Sequence, residues 1–489
     1  MSDNSSNKVI KNFIWRFAER CGAQGVSFIV SIVLARLLTP DAYGTVALIT
    51  VFINILNVFV DSGLGTALIQ KKNTDDLDFS TVFFFNFAIC IFLYGGMFIA
   101  APIIARFYGQ SELTPLIRVM SLVIVISGVK NIQQAYVSKQ LLFKKFFFAT
   151  IGGTIFSAFF GIGLAYCGFG CWALVGQQLS NTLIDTVILW ITVQWRPKWK
   201  FSFARLQTLY SYGWKLLVSA LLDTGYNNLR NLLIGKIYSA SDLAYYNQGQ
   251  KFPNVIVSNI NSSIDSVLLP VMSSAQDEKE RLKQMTRKAI KTSSYLMWPL
   301  MTGLAVCAKP IIQLLLTDKW LPCVPFLQLF CFSYVLWPIH TSNLNAIRAL
   351  GRSDVFLKME IIKKVLGIIT ILFTVKHGVF VIAVGAIALG PISVVINSYP
   401  NKKLINYSLK EQMIDLLPYV LMSVVMGGFV WCVHFINLPT VIVLIVQIII
   451  GIGAYVFMSE IFRIQVYYEA KSIIINKLKS NKFNGKERK

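Results

Sequence analysis

The chain has 489 residues, 55% of them apolar, and a mean hydropathy of +0.60. Its 46 Lys and Arg against 23 Asp and Glu give a formal net charge of +23. On a soluble protein that excess would suggest nucleic acid, but no loop is long enough to hold a basic domain, so a nucleic-acid partner is excluded.

The opening stretch, MSDNSSNKVIKNFIWRFAER, lacks the compact apolar core and small-residue cleavage site of a signal peptide, so the first helix is expected to be retained. Apolar segments then follow one another. The first six run over 12–37, 43–69, 79–106, 113–137, 147–168 and 171–194. The next six cover 208–237, 243–274, 287–316, 323–348, 356–376 and 378–400, and two more cover 414–436 and 438–461. Their ends are placed to within about four residues. A hydrocarbon core about 30 Å thick needs about 20 residues of helix to cross it, and in lipid the backbone must satisfy its own hydrogen bonds. The expected fold class is an all-α polytopic membrane protein with about fourteen transmembrane helices.

The loops alternate in charge. One set, with the tail, holds roughly 34 Lys and Arg; the other holds only Arg36, Arg106, Lys236, Lys309, Lys319 and Lys376. The positive-inside rule then places both termini in the cytoplasm. The segment after Ile461, IFRIQVYYEAKSIIINKLKS, is basic and mildly amphipathic. It reads as a solvated topogenic tail, with attachment to anionic lipid as the alternative.

An internal repeat is visible. LARLLTPDAYGTVAL from Leu34 parallels LIGKIYSASDLAYYNQ from Leu233: a basic residue (Arg36, Lys236), a hydroxyl (Thr39, Ser239), an acid (Asp41, Asp242) and a tyrosine (Tyr43, Tyr245), with one gap. QQAYVSKQLLFKKF from Gln133 parallels NLNAIRALGRSDVFLK from Asn343 at a similar offset. Both copies enter the membrane in the same sense, so the repeats are parallel, a transporter signature. The expected organisation is an N-lobe over 1–200, a C-lobe over 201–405, two appended helices over 406–462 and a basic cytoplasmic tail over 463–489.

Four helices carry polar residues at helical spacing. The first has Arg16, Arg20, Gln24, Ser27 and Ser31; the second Thr50, Asn54, Asn57 and Asp61. The seventh has Lys215, Ser219, Asp223, Tyr226 and Arg230, widened by Asn227, Asn228 and Asn231. The eighth has Asn247, Lys251, Asn254, Ser258, Asn261 and Asp265, one stripe along an apolar helix. A charge at the bilayer centre costs at least about 2.5 to 3.5 kcal/mol, so such residues line wet cavities or pair with each other. The repeat makes these helices equivalent pairs, with stripes expected to face one another across the lobe interface. Arg16, Arg20, Lys215, Arg230 and Lys251, joined by Lys130, would suit an anion; guanidinium offers a planar fork for phosphate and ammonium a point charge. Asn54, Asn57, Asn227, Asn247, Asn254 and Asn261 would line the cavity. Asp61, Asp223 and Asp265 could bind a coupling proton or sodium ion. The structural alternative is that these charges, with Asp185, pair and hold the bundle together.

Other marks are plain. The eight Cys form no CxxC pair; Cys167 and Cys171 could bridge one loop but read first as free thiols. His340, His377 and His434 have no metal-ligand spacing, so no metal is expected. Trp172, Trp195, Trp199 and Trp320 suit interfacial belts. Pro253, Pro270, Pro299 and Pro338 are candidate kinks, Pro253 a candidate hinge beside Lys251. Gly152, Gly153, Gly161 and Gly163 suit close helix packing. No nucleotide, triad or metal motif is present.

ARLLTPDAYGTVAL, DSGLGTALIQKK from Asp61, YYNQGQKFPN from Tyr245 and SSIDSVLLPVMS from Ser262 resemble bacterial Wzx-type polysaccharide flippases of the MATE/MOP superfamily, in the colanic-acid and teichuronic-acid export group. The resemblance covers nearly the whole chain. It implies two six-helix lobes with two extra helices, and a polytopic protein of the bacterial cytoplasmic membrane. It also implies an undecaprenyl-diphosphate-linked oligosaccharide as cargo, flipped from inner to outer leaflet by alternating access, with membrane lipids and a polysaccharide polymerase complex as further partners. The family has no short motif for its cation ligands, so the five cations above remain a positional reading. No cofactor is implied beyond a coupling gradient of protons or sodium. Two alternatives share the fold: a cation-coupled multidrug or small-molecule exporter, and a lipid II flippase. A polymerase or membrane glycosyltransferase would need a large external catalytic loop, and no external loop exceeds about 10 residues by these spans, so an enzyme is not expected.

Overall fold

A computed structural model describes the backbone of residues 2–61, 63–436 and 438–472, and their side chains except those of 2–14, 16–18, 20, 21, 212, 262, 263, 266 and 267. Among these residues every regular element is a helix. The first half holds α1 (Ser2–Leu37), α2 (Pro40–Asp61), α3 (Leu64–Gln70), α4 (Asp76–Tyr108), α5 (Leu113–Met120), α6 (Leu122–Lys139), α7 (Phe143–Tyr166), α8 (Cys171–Thr192) and α9 (Phe203–Ile237). The second half holds α10 (Ala240–Ser273), α11 (Lys279–Val306), α12 (Ala308–Leu316), α13 (Val324–Tyr334), α14 (Trp337–Ala349), α15 (Ser353–Thr374), α16 (Val379–Leu404), α17 (Leu409–Cys432) and α18 (Thr440–Ile461).

Eight helical stretches are long and apolar enough to cross a membrane, and α11 with α12, bent by 68°, makes a ninth. Five further helices, α1, α8, α9, α10 and α15, are 22 to 36 residues long. Three of those five carry polar stripes, which lower their hydropathy without shortening them. The set is consistent with fourteen crossings, and the protein is a multi-pass membrane protein.

Most of the breaks fall away from the prolines. α10 runs unbroken through Pro253 and Pro270, and α11 through Pro299. The chain breaks instead between α2 and α3 at Gly63 (φ 67°), at Ser121, at Cys307 and just before Pro338, which sits in the first turn of α14.

Two compact units divide the chain, residues 1–244 and 245–489. In the first unit, glycines set the closest approaches. A Cβ on Gly44 would lie 1.7 Å from the carbonyl oxygen of Ala240, and one on Gly63 2.6 Å from that of Gly213. The start of α10 and the α9 backbone therefore press directly on α2 and the α2–α3 break. Gly153 and Gly161 do the same between α7 and α8, where a Cβ would meet Asn181 at 2.9 Å and Gln177 at 2.6 Å; Gly163 faces open space. Gly44→Ala is expected to cost at least about 1 to 3 kcal/mol, because backbone cannot rotate out of the way. Gly25→Ala, with nothing within 4 Å, should be neutral. Thermal unfolding in detergent checks both, and equal melting temperatures would contradict the close approach.

Ion pairs close one end of the unit. Asp78, fully buried, receives both carboxylate bonds from Lys71 at 2.7 Å and one from Arg205 at 3.3 Å. Asp75 and Asp78 form a capping box at the start of α4. The Asp78 backbone N–H, with the Arg205 charge, holds the Asp75 carboxyl below the usual carboxylate range. A depressed folded-state pKa stabilises above the unfolded value, near 3.9, and that stability is lost as pH falls through the folded value. Acid melting curves of Asp75→Asn should therefore show a weaker pH dependence below about pH 4 than wild type.

In the second unit the matching lock is Asp415 on α17. It takes Arg287 Nε and Nη2 at 2.7 Å each, Lys291 at 3.1 Å and the Tyr407 hydroxyl at 2.9 Å. Beside it, buried Asn343, Ser398, Asn401 and Gln412 bond one another across α14, α16 and α17. Trp320, expected at an interface, is fully buried and packs edge-on against Tyr245 at 6.0 Å; Trp195 is 7% exposed, stacked on Tyr136. The turns that carry these rings fold back onto the helices, so their indoles enter the core. Trp199, 93% exposed, remains a surface residue.

The repeat is present in the helix caps. Thr39 Oγ1 accepts from the N–H of Ala42, and Ser239 Oγ from that of Asp242. Each opens α2 or α10 after a two-residue connection. Gln133 and Asn343 are both fully buried amides, within α6 and α14 respectively.

Candidate functional site

The polar stripes exist as faces of the expected helices. In the first unit the side chains of Arg16 and Arg20 lie outside the described residues. Farther along α1, Gln24 and Ser27 are exposed, and Ser31 bonds its own helix at Phe28. On α2, Thr50 bonds the Val46 carbonyl, Asn54 is exposed, and Asn57 Oδ1 is buried with no donor among the described residues. Asp61, also exposed, accepts from Asn131 Nδ2 of α6 at 3.1 Å; the same amide donates to the Val60 carbonyl at 2.7 Å.

On α9, Lys215 and Asp223 are exposed. Asn227 donates to Asp223 at 3.2 Å along the same helix. Arg230 is half-buried, and its Nε has no acceptor among the described residues. Lys130 is not a free cation: it pairs with Asp185 of α8 at 3.0 Å, the structural alternative the sequence left open. Glu19, buried on α1 with the Thr150 hydroxyl at 3.3 Å, was not singled out from sequence, since one acid in a stripe of basic and amide residues carries no signal of its own.

In the second unit the stripe residues lie along α10. Asn247 and Lys251 are half-buried, Asn254 is exposed, and Ser258 bonds the Val255 carbonyl. Asn261 is 7% exposed, and neither atom of its amide has a partner among the described residues. Asp265 accepts from Asn345 of α14 at 2.7 Å. No carboxylate lies within ion-pair distance of Lys215, Arg230 or Lys251 among the described residues. No group of three or more His, Cys, Asp or Glu that could hold a metal occurs among them either.

A helical membrane protein with polar faces on helices of both halves has the make-up of a transporter. A protein of known structure that it resembles over 92% of its length is a lipid II flippase, MurJ, in an inward closed conformation, with a TM-score of 0.76, 98% of that chain covered and 15% identity. An inward-facing MATE-family multidrug transporter of the MOP superfamily matches with a TM-score of 0.59, 79% of this chain and 96% of that one covered, also at 15% identity. These likenesses establish the fold. Residues 33–325 match the family described as polysaccharide biosynthesis protein, and the chain belongs to that family. The succinoglycan biosynthesis transport protein ExoT of Rhizobium meliloti (strain 1021) is 24% identical over 361 residues, 74% of this chain and 73% of the relative.

Proposed function

We propose that the protein carries a polyprenyl-diphosphate-linked oligosaccharide from the inner to the outer leaflet of the bacterial cytoplasmic membrane by alternating access, for surface polysaccharide synthesis. The observation that carries this reading is a set of intramembrane cations, Lys215, Arg230 and Lys251, with no carboxylate partner among the described residues. Charge in hydrocarbon is costly, so these groups are held for a partner that comes and goes. A diphosphate suits them: guanidinium takes two of its oxygens, and ammonium adds a point charge. Arg16 and Arg20 belong to the same proposed set. Family membership and the transport role in the name of ExoT support the polysaccharide cargo. The protein acts as a carrier rather than an enzyme, with both chain ends in the cytoplasm by the loop-charge bias. It needs no organic cofactor, and a proton or sodium gradient drives it. Glycan, membrane lipid and a polymerase complex are its proposed partners.

A multidrug exporter of this fold would take cationic compounds, which unpaired Lys and Arg repel. The test uses purified protein in phospholipid vesicles containing lipid-linked oligosaccharide extracted from the source cells. Protein-dependent appearance of the glycan on the opposite face, read by lectin capture, is the expected result. Vesicles that move ethidium but leave the glycan where it started would overturn the reading.

A further inference from the structure

The acids on the polar faces, with Asp185, differ in what holds them. Asp185 is neutralised by Lys130 at 3.0 Å. Asp61 and Asp265 are each held across helices by one neutral amide, Asn131 at 3.1 Å and Asn345 at 2.7 Å. Asp223 accepts from Asn227, one turn along its own helix.

The two amide-held acids are related by the repeat. The cap hydroxyls Thr39 and Ser239 are 200 residues apart, while Asp61 and Asp265 are 204 apart. The buried amides Gln133 and Asn343 are 210 apart, while Asn131 and Asn345 are 214 apart. Acid and donor have both advanced by four residues, about one helical turn. The α2–α6 pin of the first unit therefore recurs as the α10–α14 pin of the second, one turn further along.

Among the described residues, neither acid has a cation within ion-pair distance. Facing Asp61, α6 offers Asn131 and Lys130, and Lys130 is committed to Asp185 of α8. α9 meets the adjacent break through Gly213 and Leu216, and Lys215 between them has no carboxylate within ion-pair distance among the described residues. Facing Asp265, α14 offers Asn345; its His340 is held by Asn397 of α16, and its Arg348 stacks on Phe356. On α11, Lys288 pairs with Glu469.

We propose that Asp61 and Asp265 are the two proton-carrying groups of the transport cycle, each binding one proton from the aqueous phase while its asparagine keeps it in register. A carboxylate bound to a cation resists protonation, because the proton must displace a full charge. A carboxylate bound to an amide can take a proton on its other oxygen and keep the amide bond. The neutral acid then removes a charge from the polar face of α2 or α10, so that face can leave water without stranding an ion in hydrocarbon. The asparagines act as positioning residues.

This rests on the transport reading above, and the test separates the two. Vesicles carry the extracted lipid-linked oligosaccharide, the membrane potential is clamped at zero, and a pH gradient of one unit is imposed. Each coupled proton multiplies the equilibrium leaflet ratio by about ten, so wild type should approach a hundredfold ratio. Asp61→Asn and Asp265→Asn should each fall to about tenfold, and the double variant to unity. Asp61→Glu should restore the response. Pyranine inside the vesicles should report substrate-dependent proton entry that falls in step. Asn replaces Asp at constant size, so melting temperatures near wild type are expected, and a merely structural pin would leave the proton signal per lipid moved unchanged. Wild-type protein that fails to move the lipid under any gradient overturns the transport reading and this one with it. Movement that ignores the pH gradient, or both Asn variants keeping the full response, overturns this proposal alone.

Discussion

Lys251→Met and Arg230→Met should each lower polysaccharide export by about 10- to 100-fold in a strain lacking the chromosomal gene, with the variant protein still present in the membrane. The figure follows from a hydrogen bond to a charged group, worth about 1.5 to 3 kcal/mol. Methionine keeps most of the apolar stem of either side chain, so packing around the stem changes little. No carboxylate is left stranded, because neither cation has one within ion-pair distance among the described residues. Lys251→Arg should retain more export than Lys251→Met. Lys130→Met is the contrasting case: it leaves Asp185, 8% exposed, without its cation. That variant should lose stability, and its export should fall only as far as its protein level does. Export at wild-type level from both Lys251→Met and Arg230→Met would remove the cation-to-diphosphate account.

Asp415→Ala should destabilise the second unit by about 3 kcal/mol, toward the low end of the range for breaking a buried ion pair. The carboxylate is 5% exposed and gathers Arg287, Lys291 and Tyr407 onto α17. Removing it leaves the fully buried Tyr407 hydroxyl without its acceptor. Arg287 and Lys291 are partly exposed and can turn toward water, which keeps the loss below the upper end of that range. Thermal unfolding in detergent is the measurement. Asp415→Asn should lie between wild type and Ala, since an amide oxygen still accepts from Tyr407. A melting temperature equal to wild type in Asp415→Ala would show that α17 is held by apolar contacts alone.

Both expectations rest on features of different legibility. The stripes on α2, α9 and α10 could be read directly, because helical spacing writes a face into the sequence at every third or fourth residue. The repeat was legible for the same kind of reason: Thr39 and Ser239 sit at helix starts, where hydroxyls cap, and matching caps leave matching local sequence. Single long-range pairings leave no such trace. Nothing near Lys130 marks Asp185 as its partner, 55 residues away. Asn131 and Asn345 look like ordinary span amides until α6 and α14 bring them to Asp61 and Asp265. The burial of Trp320 likewise depends on the turn after α12 folding inward.

By itself, then, the sequence determined that this is a helical membrane protein, that matching helix caps recur 200 residues apart, and that particular helices carry a polar face. Those properties are carried by composition and by periodicity, which every residue of a helix reports in common. Tertiary structure alone decided which charges are answered within the fold and which stand open, and where the spans break. Those outcomes depend on one side chain or one glycine meeting one partner across tens or hundreds of positions, and only packed helices set that distance.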